Sequence, residues 1–191
     1  KVASIQQARM QVYFIDNEDY FHRKAILTDK KGKYFADNDE RAIFFARGVI
    51  ETVKKLGWKP DVIHCHGWFS SLTPLFIKKA FKDNPLFTET KVVFNVYNDP
   101  FPEPLSDTIK QKIKVEGIEE NDLAHYNDPT YVNLIKAAMA YSDAVIIGDE
   151  NLDEEIAAHI KGLSIPVLEY QDEEHYIDAY SEFYSSILGE E

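Results

Sequence analysis

Two histidines one residue apart, His64 and His66, stand in the stretch PDVIHCHGWFSS between Pro60 and Ser71, followed at once by Gly67 and Trp68. Imidazoles exchange protons near neutral pH, make hydrogen bonds through either nitrogen, and bind metals. An indole offers an apolar face on which a ligand ring can stack. Residues i and i+2 of a strand share a face, so the two rings would be neighbours. A metal-dependent hydrolase is one reading of the pair. It needs a third ligand and usually a carboxylate, and His22, His125, His159 and His175 fall in no ligand spacing. No metal and no cofactor are therefore expected. For His64 a hydrogen-bonded core histidine is the plainer reading, and for Trp68 simple packing.

The elements around this stretch give His66 its interest. Asp61 to Cys65 is a short β-branched run, bounded by Pro60 and the Gly67 turn, and reads as a buried parallel strand. Ligands of open α/β sheets bind outside the carboxyl ends of the strands. His66 would reach that crevice while His64 sits lower. Upstream, MQVYFID (Met10 to Asp16) reads as a strand, and Asn17 to Ala36 as a loop too long for a simple connector. Asp37, Asn38 and Asp39 offer capping side chains before a helix whose Ile43, Phe44, Ala46, Val49, Ile50, Val53 and Leu56 recur at helical spacing, with Gly57 ending it.

A helix from about Ser70 to Lys82 and a strand over Lys91 to Val96 complete a βαβαβ run, which predicts a parallel sheet. Pro100, Pro102 and Pro104 then forbid regular structure after that strand. Further helices are predicted over Thr108 to Lys114, Tyr131 to Tyr141 and Leu152 to Ile160, with strands over Asp143 to Gly148 and Ile165 to Tyr170. In the tail, Tyr176, Ile177, Tyr180, Phe183, Tyr184, Ile187 and Leu188 form one stripe with acids between, which predicts an amphipathic helix packed on the domain.

Charge excludes several classes. The net charge is −12, and the 13 Asp or Glu and single Lys between Asp149 and Glu191 account for all of it. No basic patch with interleaved aromatics is present, so nucleic-acid binding is not expected. No run of 18 apolar residues and no signal peptide appear, and the lone Cys65 lies in a core strand. These features predict a cytoplasmic protein with no membrane attachment. The first residue is Lys1, not Met, so the front reads as cut or processed.

Four blocks in order carry a family resemblance: VYFIDNEDYFHR, FADNDERAIFFARGVIETVKKLGWKPDVIHCHGW, VVFNVYN and VNLIKAAMAYSDAVIIG. Over roughly Val12 to Ile156 the chain resembles the N-terminal catalytic domain of bacterial glycogen and plant starch synthases. The resemblance implies an α/β, Rossmann-like parallel sheet flanked by helices, one half of a two-domain retaining glycosyltransferase. It implies a synthase-like domain over residues 1–170 and an acidic amphipathic helix within 171–191. It also implies a sugar-nucleotide donor, ADP- or UDP-glucose, and an α-1,4-glucan acceptor.

Carried over by residue, the resemblance places Asp37 where a carboxylate faces the transferred glucose and can help balance positive charge on the glucosyl ring. Asp37 or Asn38 as helix N-cap is a compatible reading. His66 stands for the first residue of the family's His-Asp-Trp motif, offering its side chain or its carbonyl to the sugar. Trp68 and Asn98 would line the acceptor side. Tyr97 stands where the family has His, and Arg23 where it has the basic residue of a Phe-Asp-Arg block. Asn133 and Asn127 lie near a family asparagine, and Lys136 fits its helix lysine.

The departures bear on activity. There is no Gly-Gly pair to form the family's Lys-x-Gly-Gly-Leu phosphate loop. Gly67 replaces the motif's Asp, and Ile146-Ile147-Gly148-Asp149 replaces Thr-Val-Ser-Pro. The second domain, which holds the diphosphate in the family, has no counterpart. The chain alone is therefore expected to be inactive, completed by a further domain or a partner subunit. A non-catalytic domain that binds glucan or partners a synthase is the alternative.

Overall fold

The computed structural model describes residues 1–190; Glu191, the last residue of the expected acidic tail, lies outside the described residues. In chain order the strands are β1 (Val2–Ile5), β2 (Met10–Tyr13), β3 (Val62–His66), β4 (Lys91–Val96), β5 (Ala144–Ile147) and β6 (Val167–Leu168). The helices are α1 (Glu18–Phe21), α2 (Asn38–Leu56), α3 (Thr73–Leu75), α4 (Ile109–Ile113), α5 (Tyr131–Ala140), α6 (Glu154–Lys161) and α7 (Tyr176–Leu188). Strands β3, β4, β5 and β6 form a four-stranded parallel sheet in that order. Helices flank it, so the α/β architecture expected from the sequence is the one observed.

The expected first strand does not join this sheet. MQVYFID contributes β2, which pairs antiparallel with β1 in a separate hairpin, Val2 opposite Tyr13 and Ile5 opposite Met10. A partner only a few residues upstream costs little loop-closure entropy. The chain then runs along α2, where Tyr13 and Ile15 lie beside Phe45, Val49 and Val53. Strand β3 is left at the sheet edge.

A second difference concerns the helix expected over Ser70 to Lys82. It is broken into a 3-10 turn (Trp68–Ser70), the short α3 and a π turn (Phe76–Ala80). Pro74 has no N–H to return to the preceding turn, so helical bonding restarts at Thr73. The last expected strand is also shorter, limited to Val167–Leu168.

Strand alternation sorts the sheet into two unlike faces. Ile63, Cys65, Val92, Phe94, Val96 and Val145 belong to the main core, with Ala42, Ala46 and Ile50 of α2 and Leu134, Ile135 and Ala138 of α5. Val93, Ala144 and Ile146 form a second, smaller cluster, covered by Tyr180, Phe183, Tyr184 and Ile187 of α7. The i, i+3, i+4, i+7 spacing of those four residues is what turns one stripe of α7 onto the sheet. The β3 to β4 register, His64 opposite Val93 and His66 opposite Asn95, puts both histidines on the α7 face. Long loops stay ordered through local bonds: Asn17 caps α1 through the Tyr20 N–H, and Asp29 accepts from the Lys31 and Lys33 amides.

Phe94 is fully buried at the centre of the larger core. Phe94→Ala is expected to lower the unfolding free energy by about 3–5 kcal/mol, read from equilibrium urea denaturation.

Candidate functional site

His66 closes β3, and the chain leaves it through Gly67, whose φ of 65° and ψ of 178° suit only glycine. The Gly67 N–H bonds to the Asn95 carbonyl at 3.1 Å, and the Ser70 hydroxyl donates to the His66 carbonyl at 2.9 Å. With that carbonyl engaged, the ring is the part of His66 offered outward. The His66 Nδ1 lies 2.9 Å from the Tyr97 hydroxyl, and the two rings stack with centroids 6.0 Å apart. A cavity of about 190 Å³ beside β3 is lined by Phe45, Ile63, His64, Cys65, His66 and Ser70.

His64 is the hydrogen-bonded core histidine the sequence suggests: its Nδ1 meets the Tyr184 hydroxyl of α7 at 2.5 Å. The two histidine rings are 4.0 Å apart. Burial first, then the neighbouring His66, pushes the His64 pKa down to about 3, and burial lowers that of His66 as well. Both rings are neutral at pH 7. Among the described residues no group of three His, Cys, Asp or Glu side chains is placed to hold a metal ion. Cys65 points into the opposite core, and burial pushes its thiol up to about 12, which removes thiolate chemistry.

Asp37 and Arg23 are brought together. Arg23 grips the Asp37 carboxylate with both terminal nitrogens, Nη1 to Oδ1 at 2.8 Å and Nη2 to Oδ2. That pairing holds the Asp37 carboxyl below its ordinary range, so the group is anionic. Asp37 occupies the N-cap position of α2, yet its side chain makes no capping bond. The capping reading is therefore corrected: the carboxylate is committed to Arg23 across the loop.

Asn38 is buried, donating to the Leu27 carbonyl and accepting from Arg41. Its amide pins the loop and does not face solvent. Arg41, itself buried, lies against the rings of Phe21, Phe35 and Phe69. Through Phe69, the residue after Trp68, this cluster abuts the turn that follows His66.

The remaining expected residues divide. Trp68 is only 2% exposed, edge-packed by Phe69 and Phe101. It supports the turn from below and cannot stack on a sugar as placed. Tyr97 is at the crevice against His66, and Asn98 is exposed beside it, its backbone N–H held by Asp149. Asn133 spends its amide on the Asp128 carbonyl, and Lys136 pairs with Glu155, so both are structural on α5. Asn127 accepts from Lys110.

Sequence reasoning missed Asn95, Asp99, Tyr180, Tyr184 and Tyr131, whose hydroxyl donates to the Tyr97 carbonyl and lies 3.1 Å from the Asp99 carboxylate. Asn95 is fully buried and donates to the hydroxyls of Tyr97 at 3.0 Å and Tyr180 at 3.1 Å. Its position two residues before Tyr97, on the strand beside His66, was the available signal. Two substitutions noted in the sequence find a spatial reason. A Cβ on Gly148 would come within 2.5 Å of the Asn95 amide oxygen and 2.7 Å of the Tyr97 ring, so Gly148 makes room for Tyr97. A Cβ on Gly67 would stand 2.7 Å from an Asp99 carboxylate oxygen, so Asp99 brings a carboxylate to the place where a side chain at 67 would begin.

A model of the starch synthase catalytic domain matches residues 1–165. The glycogen synthase of Chlorobium limicola is 34% identical over 160 residues, covering 83% of this chain and 32% of that protein. The glycogen synthase of Elusimicrobium minutum is 33% identical over 167 residues, covering 83% of this chain and 34% of its own length. This chain thus spans about a third of the relatives it matches. Among solved structures, the catalytic domain of starch synthase IV from Arabidopsis thaliana, bound to ADP and acarbose, superposes with a TM-score of 0.58. Identity to it is 15%, over 80% of this chain and 32% of that one, a likeness of fold.

Gly148→Ala is expected to cost about 1–3 kcal/mol through overpacking, and adding Tyr97→Ala should recover part of it in the same urea titration. His64 gives a pH signature. Its folded pKa, about 3, lies below the ordinary 6.5, so between these values the unfolded chain holds a proton the folded chain does not. That stability is fully present above pH 6.5 and is lost as pH falls toward 3. His64→Phe should therefore flatten the slope of unfolding free energy between about pH 6 and pH 4 by one proton, about 1.4 kcal/mol per pH unit.

Proposed function

The chain belongs to the starch synthase catalytic-domain family, and from that premise we propose that it is one half of a glucosyltransferase that moves glucose from ADP- or UDP-glucose to the non-reducing end of an α-1,4-glucan. The observation that carries the reading is the presentation of the His66 ring at the carboxyl end of β3, with the aromatic cluster around Arg41 reaching the following turn through Phe69 and sharing Phe35 with Arg23, the partner of Asp37. The ring supplies a hydrogen-bonding group for the sugar. Asp37, kept anionic by Arg23, supplies negative charge, which stabilises a glucosyl centre that turns positive as the bond to the leaving diphosphate lengthens. For Asp37 to face the sugar directly, Arg23 must share or release it.

Diphosphate recognition has to come from elsewhere. Arg23 is spent on Asp37 and Arg41 on the interior, so a second domain or partner subunit supplies the cations that hold the phosphates. The location that goes with this chemistry is the cytoplasm, and no helix of the described residues is long and apolar enough to cross a membrane. The commitment of both arginines favours a second reading, a non-catalytic domain that binds glucan or partners a complete synthase.

Calorimetric titration of the full-length parent with ADP-glucose and with maltohexaose, alongside radiolabelled glucose transfer, separates the two. The transferase reading expects donor binding, and transfer reduced at least 100-fold in Asp37→Ala and in His66→Ala. Glucan binding with neither nucleotide binding nor transfer contradicts it and supports the accessory domain.

A further inference from the structure

We infer that Tyr97 is a positioning residue that fixes His66 in its Nε2–H tautomer, so that the ring meets its ligand as a hydrogen-bond donor to a sugar oxygen. The inference deepens the transferase reading and rests on it only for the identity of the ligand. It follows from counting protons along a chain of bonds. The Asn95 amide has two N–H groups, and they point at the Tyr97 and Tyr180 hydroxyls. A phenol that accepts from Asn95 keeps its own single proton for another acceptor. For Tyr97 the acceptor within reach is the His66 Nδ1 at 2.9 Å. An Nδ1 that accepts carries no proton, and in a neutral imidazole the proton then sits on Nε2.

Two further observations fit this order. The Asn95 amide oxygen lies beside Gly148 and has no hydrogen-bond partner among the described residues. A carbonyl oxygen tolerates a C–H neighbour better than an N–H₂ group does, which keeps the amide nitrogen on the tyrosine side. The His66 Nε2 likewise has no partner among the described residues, and the residue is exposed. His64 shows the same arrangement beneath it, its Nδ1 taken by the Tyr184 hydroxyl. Here, though, the Nε2 is buried and unpartnered, so only His66 can use its donor.

Because Tyr97 stands where the resembling family has a histidine, the device belongs to this chain: a phenol that accepts from Asn95 and passes its own proton toward His66. Gly148 is the accommodation that makes it possible, since any side chain there would displace the phenol ring. Removing the hydroxyl leaves the His66 ring in place but frees Nδ1 to carry a proton.

The test is long-range proton–nitrogen correlation NMR of the intact chain labelled with 15N-histidine, recorded without ligand above pH 7, where His66 is neutral. The expected wild-type pattern is a single Nε2–H form at His66. Tyr97→Phe should let an Nδ1–H population appear that the wild type lacks, while Tyr180→Phe leaves the single Nε2–H form. A dominant Nδ1–H form in the wild type, or a Tyr97→Phe spectrum identical to wild type, overturns the inference. Neither result bears on sugar-nucleotide binding, so failure here is distinct from failure of the transferase reading.

Discussion

A fully buried amide in the central strand has to spend its hydrogen-bonding capacity inside the protein, and the arrangement of the site follows from where Asn95 spends it. One proton goes to Tyr97 and the other to Tyr180. The first bond reaches the crevice, because Tyr97 touches His66. The second reaches the C-terminal helix, because Tyr180 belongs to α7. A purely apolar residue at this position would leave two phenols without a donor and would remove one of the two polar anchors of α7, the other being the Tyr184 bond to His64. The amide thus couples the docking of α7 to the geometry at the end of β3.

The two sheet faces do different work. The face toward α2 and α5 is dry and carries most of the apolar burial, including Phe94, Val96 and Cys65. The α7 face mixes a small apolar cluster with His64, His66, Asn95 and Tyr97, and the tyrosines of α7 satisfy part of that polarity. At the start of α2, the Arg23 and Asp37 pair and the aromatic cage around Arg41 hold the helix against the Trp68 turn. Trp68 is load carried from below, a rigid floor under the Gly67 turn.

Much of the fold could be read from the residues, because apolar periodicity reports burial directly. Strand β4 lies on the residues expected, α5 differs at one end by a residue, and Gly57 ends α2 in the left-handed conformation anticipated for it. The α7 stripe was legible for the same reason. What escaped was pairing. MQVYFID alternates identically whether its partner is a sheet or the hairpin strand Val2–Ile5, so its pattern could not reveal the hairpin. Trp68 could face either side of its turn, and the bond from Arg23 to Asp37 spans a loop whose path no local signal encodes. Gly67 and Gly148 read as losses of polar groups in the sequence. In space they are accommodations, to the Asp99 carboxylate and the Tyr97 ring.

The central claim is that the sugar of the donor meets this chain at the end of β3, through the His66 ring. A crystal structure of the full-length parent with ADP-glucose bound addresses it most directly. The account predicts a glucose oxygen about 3 Å from the His66 Nε2, with Tyr97 still on Nδ1. Glucose bound away from β3, with the His66 ring in contact only with solvent, would contradict it.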